Sequence, residues 1–193
     1  MPKVRLAIFA SGSGSNAENL YKYFHGHPGI EIALIASNNP NAFVLERARK
    51  LKVEELVFNR SDLQDQDAFI HTLEAHRIDG IVLAGFLLLV PEYLVQAFPD
   101  RILNIHPALL PAYGGKGMYG HHVHEAVISN GEKESGISIH LVNERYDDGN
   151  ILAQYRCPIL PADSPEDLAS RIHELEYRYF PLEVERWVKS YFP

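Results

Sequence analysis

Asn104 and His106 stand two residues apart in RILNIHPALLP, an amide and an imidazole inside an otherwise apolar run that proline stops. The amide can donate or accept a hydrogen bond, and the imidazole can also carry a proton near neutral pH. On a strand, residues two apart face the same side, so both side chains project together from its carboxyl end. Open α/β sheets place their ligands there. The same spacing also fits a hydrogen-bonded core histidine, so any chemistry depends on what the rest of the chain brings to that strand end.

Three other stretches can reach it. NERYDDGNILAQ sets Asp147 and Asp148 before Gly149 ahead of a strand, where either acid can meet His106 or serve a plain turn. FASGSGSNAENL joins a strand to a helix, and its Gly12, Gly14 and Ala17 fit the G-x-G-x-x-G/A spacing. The second strand, however, ends IASNNPN, without the acid that a dinucleotide ribose needs. What remains is a turn whose free N–H groups, with Ser13, Ser15 and Asn16, suit a single phosphate monoester at a helix N-terminus. A capped turn without a ligand has the same pattern. In GIVLAGFLLLVPEYL, the run 86–90 holds more apolar side chains than one buried strand needs. It is expected to line a slot for a flat ring, unless it is ordinary core.

The elements that position these groups alternate. RLAIFAS, IEIALIAS, EELVF and GIVLAG read as strands, and NAENLYKYFHG, FVLERARKL and DQDAFIHTLEAHR between them have helical period. That order predicts an α/β, Rossmann-like fold: a mostly parallel, twisted sheet with helices on both faces. ILNI, SGISIHLV and ILAQYRCPI extend the sheet. The closing segment SPEDLASRIHELEYRYFPLEVERWVKSYF offers Ser164 as a cap, Pro165 at the first helical position and Asp167 for a capping box. Pro181 is expected to kink or split this helix. No linker or repeat interrupts the chain, so residues 1–193 are expected to form a single domain.

Composition narrows the function classes. With 18 Lys and Arg against 25 Asp and Glu, the formal net charge is −7, which repels a nucleic-acid backbone. The content of 46% hydrophobic and 22% charged residues is that of a globular protein. The apolar stretch GIVLAGFLLLV has about half the ~20 residues of a membrane helix, and MPKVRLAIFASG reads as a first strand rather than a leader. The single cysteine, Cys157, excludes an internal disulfide and fits a reducing compartment as a buried strand residue. The expectation is a cytoplasmic protein with no nucleic-acid or membrane partner.

Taken in order, these segments resemble the phosphoribosylglycinamide formyltransferases, a folate-dependent formyltransferase family of purine biosynthesis. SGSGSN is similar to the family's phosphate loop, VLAGF to its folate-pocket strand and LNIHPALLP to its catalytic strand. SIH and DDG are similar to its second strand and acid loop, and ELEYRYFP to its C-terminal substrate helix. The resemblance implies formyl transfer from 10-formyltetrahydrofolate to the amine of N1-(5-phosphoribosyl)glycinamide, without a metal, by a monomer or homodimer. It implies Asn104, His106 and Asp147 as the catalytic trio, with Asp148 as the fallback acid. Gly14, Ser15 and Asn16 would hold the ribosyl phosphate and Glu176 the glycinamide amine. Leu87, Leu88, Leu89, Val90 and Tyr146, with Asn104 and Asp147, would surround the folate, and His140 would support the trio. The N-terminal half would then bind phosphate, and the C-terminal half folate. Asn104 and a protonated His106 would donate to the oxygen that becomes negative, with Asp147 keeping His106 charged.

Two departures stand out. GGKGMYGHHVH, residues 114–124, is longer than the family's common proline-glycine-histidine connection. Leu88 and Gln66 stand where members carry arginines, so Arg60 or Arg101 is expected to meet the folate tail. Other readings are a metal site of His106, His121, His122 and His124, a formyltetrahydrofolate hydrolase, a methionyl-tRNA formyltransferase and a non-catalytic phosphoribosyl-binding module. The acidic 193-residue chain carries no sign of the RNA-binding or regulatory domain that the tRNA enzyme and the hydrolase add.

Overall fold

Seven short aliphatic runs pair into one sheet in this computed structural model, which describes residues 2–192. They are β1 (Val4–Phe9), β2 (Ile30–Ser37), β3 (Glu54–Val57), β4 (Gly80–Leu83), β5 (Ile102–His106), β6 (Glu134–Leu141) and β7 (Ile151–Pro158). Their order across the sheet is β3-β2-β1-β4-β5-β6-β7. The pairings among β1 to β5 are parallel, and those of β6 with β5 and β7 are antiparallel. After β3 the chain crosses from the β2 side of β1 to the β4 side, which opens a crevice beyond the carboxyl ends of β1 and β4.

The strands are apolar on both faces because helices cover both. Leu6 and Ile8 of β1 point into one core, and Ala7 and Phe9 into the other. The first core is closed by α1 (Ser15–Phe24), α2 (Phe43–Leu51), α6 (His121–Ser129) and α7 (Pro165–Tyr191) through Leu20, Val44, Val127 and Trp187. The second is closed by α3 (Arg60–Gln64), α4 (Gln66–Ala75) and α5 (Glu92–Ala97) through Leu63, Phe69 and Leu94, with Phe58 and Val90 beside them.

The turn from β1 into α1 depends on Gly14. Its φ is 70°, and a Cβ there would overlap the Val44 side chain, so the position excludes L side chains on both dihedral and steric grounds. At α7 the expected capping box forms: the Ser164 side chain accepts from Asp167 N–H and the Asp167 carboxylate from Ser164 N–H. The helix is not split at Pro181, however, but runs unbroken through all 27 residues. Proline leaves the carbonyl four residues earlier without its donor. That carbonyl, on Tyr177, instead accepts from Asn19 Nδ2 of α1 at 3.0 Å. A partner from a neighbouring helix thus offsets the lost bond.

Candidate active site

Asn104 and His106, at the carboxyl end of β5, lie in a cleft of about 750 Å³, a size that suits small-molecule ligands. The turn between β6 and β7 brings Asp147 over them, and α7 contributes Glu176. Asn104 faces His140 across the β5–β6 pair. The His140 Nδ1–H donates to the Leu141 carbonyl (2.8 Å), so Nε2 accepts from Asn104 Nδ2 at 3.0 Å. The second Asn104 amide hydrogen goes to Asp147 Oδ1 at 3.3 Å. Both amide hydrogens are therefore engaged, whereas the sequence reading left one free for a ligand.

His106 is buried, and its Nε2 donates to the Tyr113 carbonyl at 2.7 Å. The other nitrogen, Nδ1, faces Asp147 Oδ1 at 3.5 Å. Asp147 Oδ2 accepts from Gly115 N–H at 2.9 Å. Of the two adjacent acids it is Asp147, in a left-handed conformation with φ 53°, that turns inward; Asp148 is exposed and pairs with Arg145 at 2.6 Å.

Electrostatics corrects one expectation. Burial pushes the His106 imidazole below its ordinary pKa, and Asp147 and the Tyr113 carbonyl only partly oppose it. The structure therefore does not hold His106 charged by means of Asp147 alone, because desolvation of a cation outweighs one carboxylate beyond hydrogen-bond contact. Burial would raise the Asp147 carboxyl, but His140, His106 and the Gly115 N–H more than offset it and leave the acid below its usual range.

At the opposite wall the first internal bond of α1 runs from Glu18 N–H to the Gly14 carbonyl (3.0 Å), and residues 15–17 keep N–H groups that have no intrahelical partner. Gly14, Ser15 and Asn16 all line the cleft. The Asn16 side chain does not serve as a free donor: it is buried, and Nδ2 donates to Glu176 Oε2 at 2.9 Å. The same carboxylate oxygen meets His173 Nδ1 at 2.9 Å, which raises the His173 pKa.

The run 86–90 divides between two spaces. Phe86 and Leu87 border the main cleft, while Leu88, Leu89 and Val90 line a smaller adjoining cavity of about 50 Å³; Phe86, Asn104, Tyr146 and Asp147 are shared by both. Leu87 and Leu89, in the loop after β4, are exposed at 44% and 41%, and Val90 is core. Arg60 borders the cleft, but Arg101 does not: it stacks on Phe192 with its guanidinium 5.2 Å from the ring centre.

The histidines of the 114–124 segment do not converge. His121 meets Glu125 (3.2 Å) and Glu166 (3.6 Å), and His122 meets Glu125 (3.4 Å). Among the described residues no three His, Cys, Asp or Glu side chains form a metal-ligand group. His124 is buried beside the cleft, and burial pushes its pKa down to about 4. A histidine whose folded pKa is depressed takes up its proton more readily when unfolded, so its contribution to stability is present above pH ~6.5 and is lost as pH falls toward 4. Urea unfolding should lose about 3 kcal/mol over that window from this residue, and His124→Gln should flatten the loss; equal acid sensitivity in the variant would place the effect elsewhere.

The sequence reading did not single out the Tyr113 carbonyl, the Gly115 N–H or His173. The first two are backbone groups and leave no side-chain signal. His173 was legible in principle, three residues before Glu176 on one helical face.

The seven-stranded, mostly parallel sheet, with a strand-end amide, imidazole and carboxylate gathered at its carboxyl edge, defines an α/β protein of the doubly wound class. Residues 4–184 match the family described as formyl transferase, and the chain belongs to that family. It is 42% identical over 182 residues to the chloroplastic phosphoribosylglycinamide formyltransferase of Arabidopsis thaliana, covering 91% of this chain and 62% of that protein. It is 36% identical over 188 residues to phosphoribosylglycinamide formyltransferase of Haemophilus influenzae, covering 95% and 86%. The crystal structure of glycinamide ribonucleotide transformylase 1 from Symbiobacterium toebii superposes with a TM-score of 0.87 at 32% identity, covering 97% and 89%. The chain spans about three fifths of the length of the plant relatives it matches. Among the described residues no helix is long and apolar enough to cross a membrane.

Proposed function

We propose that this chain transfers the formyl group of 10-formyltetrahydrofolate to the amine of N1-(5-phosphoribosyl)glycinamide. The observation that carries this reading is the contact of Asn104, His106 and Asp147 within one cleft, between the α1 N-terminus and the run 86–90. Gly14, Ser15 and Asn16 offer backbone N–H groups to the phosphate, and Glu176 accepts the donors of the glycinamide end. Leu87, Leu88, Leu89 and Tyr146 form the apolar walls for the pteridine, with Val90 packed into the core beside them.

The folate supplies an activated formyl carbon. The substrate amine forms a bond to it, the carbon–N10 bond breaks, and one proton passes from the amine to N10. Asn104 gives up its longer bond, at 3.3 Å to Asp147, to reach the oxygen that becomes negative, while His140 keeps the amide in place. His106 presents Nδ1 because the Tyr113 carbonyl holds Nε2–H. Burial disfavours the imidazolium in the free site, so the reactive form is the fraction of His106 that has taken a proton on Nδ1 from solvent before reaction, and the developing negative charge stabilises that form. The stabilisation is therefore greatest when charge appears, as catalysis requires. Asp147, through water or directly, relays the amine proton.

The test is product formation from both substrates. Formyl transfer that depends on glycinamide ribonucleotide supports the assignment. Formate release at the same rate without the amine would assign a hydrolase, and phosphoribosyl binding without turnover a non-catalytic module. Leu89→Asp is expected to raise the folate KM by about tenfold or more, because a carboxylate at this exposed position loses water when the ring covers it, with little change in the ribonucleotide KM; equal rises in both would mark a folding defect.

A further inference from the structure

We propose that Lys116 supplies the permanent positive charge for the phosphate monoester of the ribonucleotide, an inference that rests on the substrate proposed above. A phosphate monoester carries nearly two negative charges at neutral pH, and the chain itself has a net charge of −7. The loop 11–16 offers N–H and hydroxyl groups but no cation. Arg47, which touches this loop, is already committed: its Nε donates to the Ser13 carbonyl at 2.8 Å and its guanidinium pairs with Glu18. Among the described residues lining the cleft, the lysine and arginine side chains are Lys116 and Arg60, and neither forms an ion pair.

The two layers of the fold divide these cations between the two ligands. Arg60 opens α3, whose Leu63 belongs to the same core as Val90, with Leu88 packed against it; Arg60 is on the folate side. Lys116 lies in a tight turn, residues 115–118, closed by the Met118 N–H to the Gly115 carbonyl at 3.1 Å. Gly117 has φ 91°, which the third residue of a type II turn requires. One end of the turn is pinned by the Gly115 N–H on Asp147, and the other by Met118, which packs on the core shared by α1, α6 and α7. That is the layer of the phosphate loop's helix and of Glu176. The lengthened glycine-rich segment thus carries a lysine to the ribonucleotide side of the cleft, on a turn whose backbone is tied to the catalytic acid through the Gly115 N–H.

The test compares the intact protein with Lys116→Met, Lys116→Arg and Arg60→Met, by calorimetric titration with ribose 5-phosphate and with glycinamide ribonucleotide, and by the folate KM. Lys116→Met should weaken both phosphate ligands about tenfold and flatten their salt dependence. The unphosphorylated glycinamide riboside should bind as before, the folate KM should hold, and Lys116→Arg should recover most of the loss. Unchanged phosphate affinity in Lys116→Met overturns the proposal, as does an equal loss for the riboside. A rise in the folate KM alone would give Lys116 to the folate carboxylates and also overturn it. If the unmodified protein binds ribose 5-phosphate through Lys116 yet transfers no formyl group, the reaction assignment fails and the phosphate site stands.

Discussion

Asp147→Asn is expected to slow formyl transfer by roughly two to three orders of magnitude, the cost of one lost electrostatic contact to a reacting centre, while both substrates still bind. The replacement keeps the shape. An asparagine oxygen can still accept from Asn104 or from Gly115, which now meet Oδ1 at 3.3 Å and Oδ2 at 2.9 Å. What disappears is the negative charge 3.5 Å from His106 Nδ1. Because burial already lowers the His106 pKa and Asp147 is the largest opposing influence, removing the charge lowers that pKa further. A reaction that needs the imidazolium loses rate as pH rises through this value, so the variant's profile should shift to lower pH; its deficit should grow as pH rises through the two His106 pKa values, both below the ordinary histidine value of about 6.5, and level off above them. NMR titration of His106 and kcat against pH check both statements. Asp148→Asn should behave almost as the parent, since Asp148 is committed to Arg145 at the surface. A shift of the His106 titration in Asp148→Asn but not in Asp147→Asn would transfer the role to the wrong-facing acid and sink the assignment.

The fold was legible because its signals are local and repeated. Strand and helix alternate with the expected periods, and Ser164 with Asp167 announced a helix start that the structure reproduces. The split that Pro181 allowed does not occur, for a reason no local rule contains: Asn19, on a helix more than 150 residues away in sequence, donates its side-chain N–H to the freed carbonyl. The candidate site divides in the same way. Asn104 and His106 were legible from alternation on one strand, and the juxtaposition of Asp147 with His106 from the turn that precedes β7. The preference for Asp147 over Asp148 came from the resemblance alone, since spacing left both acids open; the structure turns Asp147 inward at φ 53°, a dihedral that adjacent identical residues do not disclose. The protonation of His106 was misjudged because charge pairing can be read from residue types, whereas burial is a property of the whole packing. Asn16 illustrates the converse: a side chain that looked free for a ligand is committed to Glu176, joining α1 to α7 at the wall of the cleft.

Ser15→Asp is expected to weaken glycinamide ribonucleotide binding by about two to three orders of magnitude while leaving the fold intact. Ser15 is the first residue of α1 and lines the cleft. An aspartate at a helix N-terminus is stabilising by about 0.3–1 kcal/mol through the helix dipole, so unfolding measurements should show no loss. The carboxylate would occupy the same positive end of the helix that the phosphate needs. Two unit charges about 4 Å apart repel by roughly 4 kcal/mol at an effective dielectric of 20, and a tenfold change in affinity is about 1.4 kcal/mol, which sets the expected range after screening. Calorimetry with the ribonucleotide and with ribose 5-phosphate should show parallel losses that shrink at high salt, whereas the folate KM should be nearly unchanged. Ser15→Ala, which removes the hydroxyl but keeps the N–H, should weaken binding far less, because the backbone carries most of the contact. Parent-like affinity in Ser15→Asp would remove the phosphate from this helix terminus, and an equal loss in Ser15→Ala would give the contact to the hydroxyl instead of the backbone.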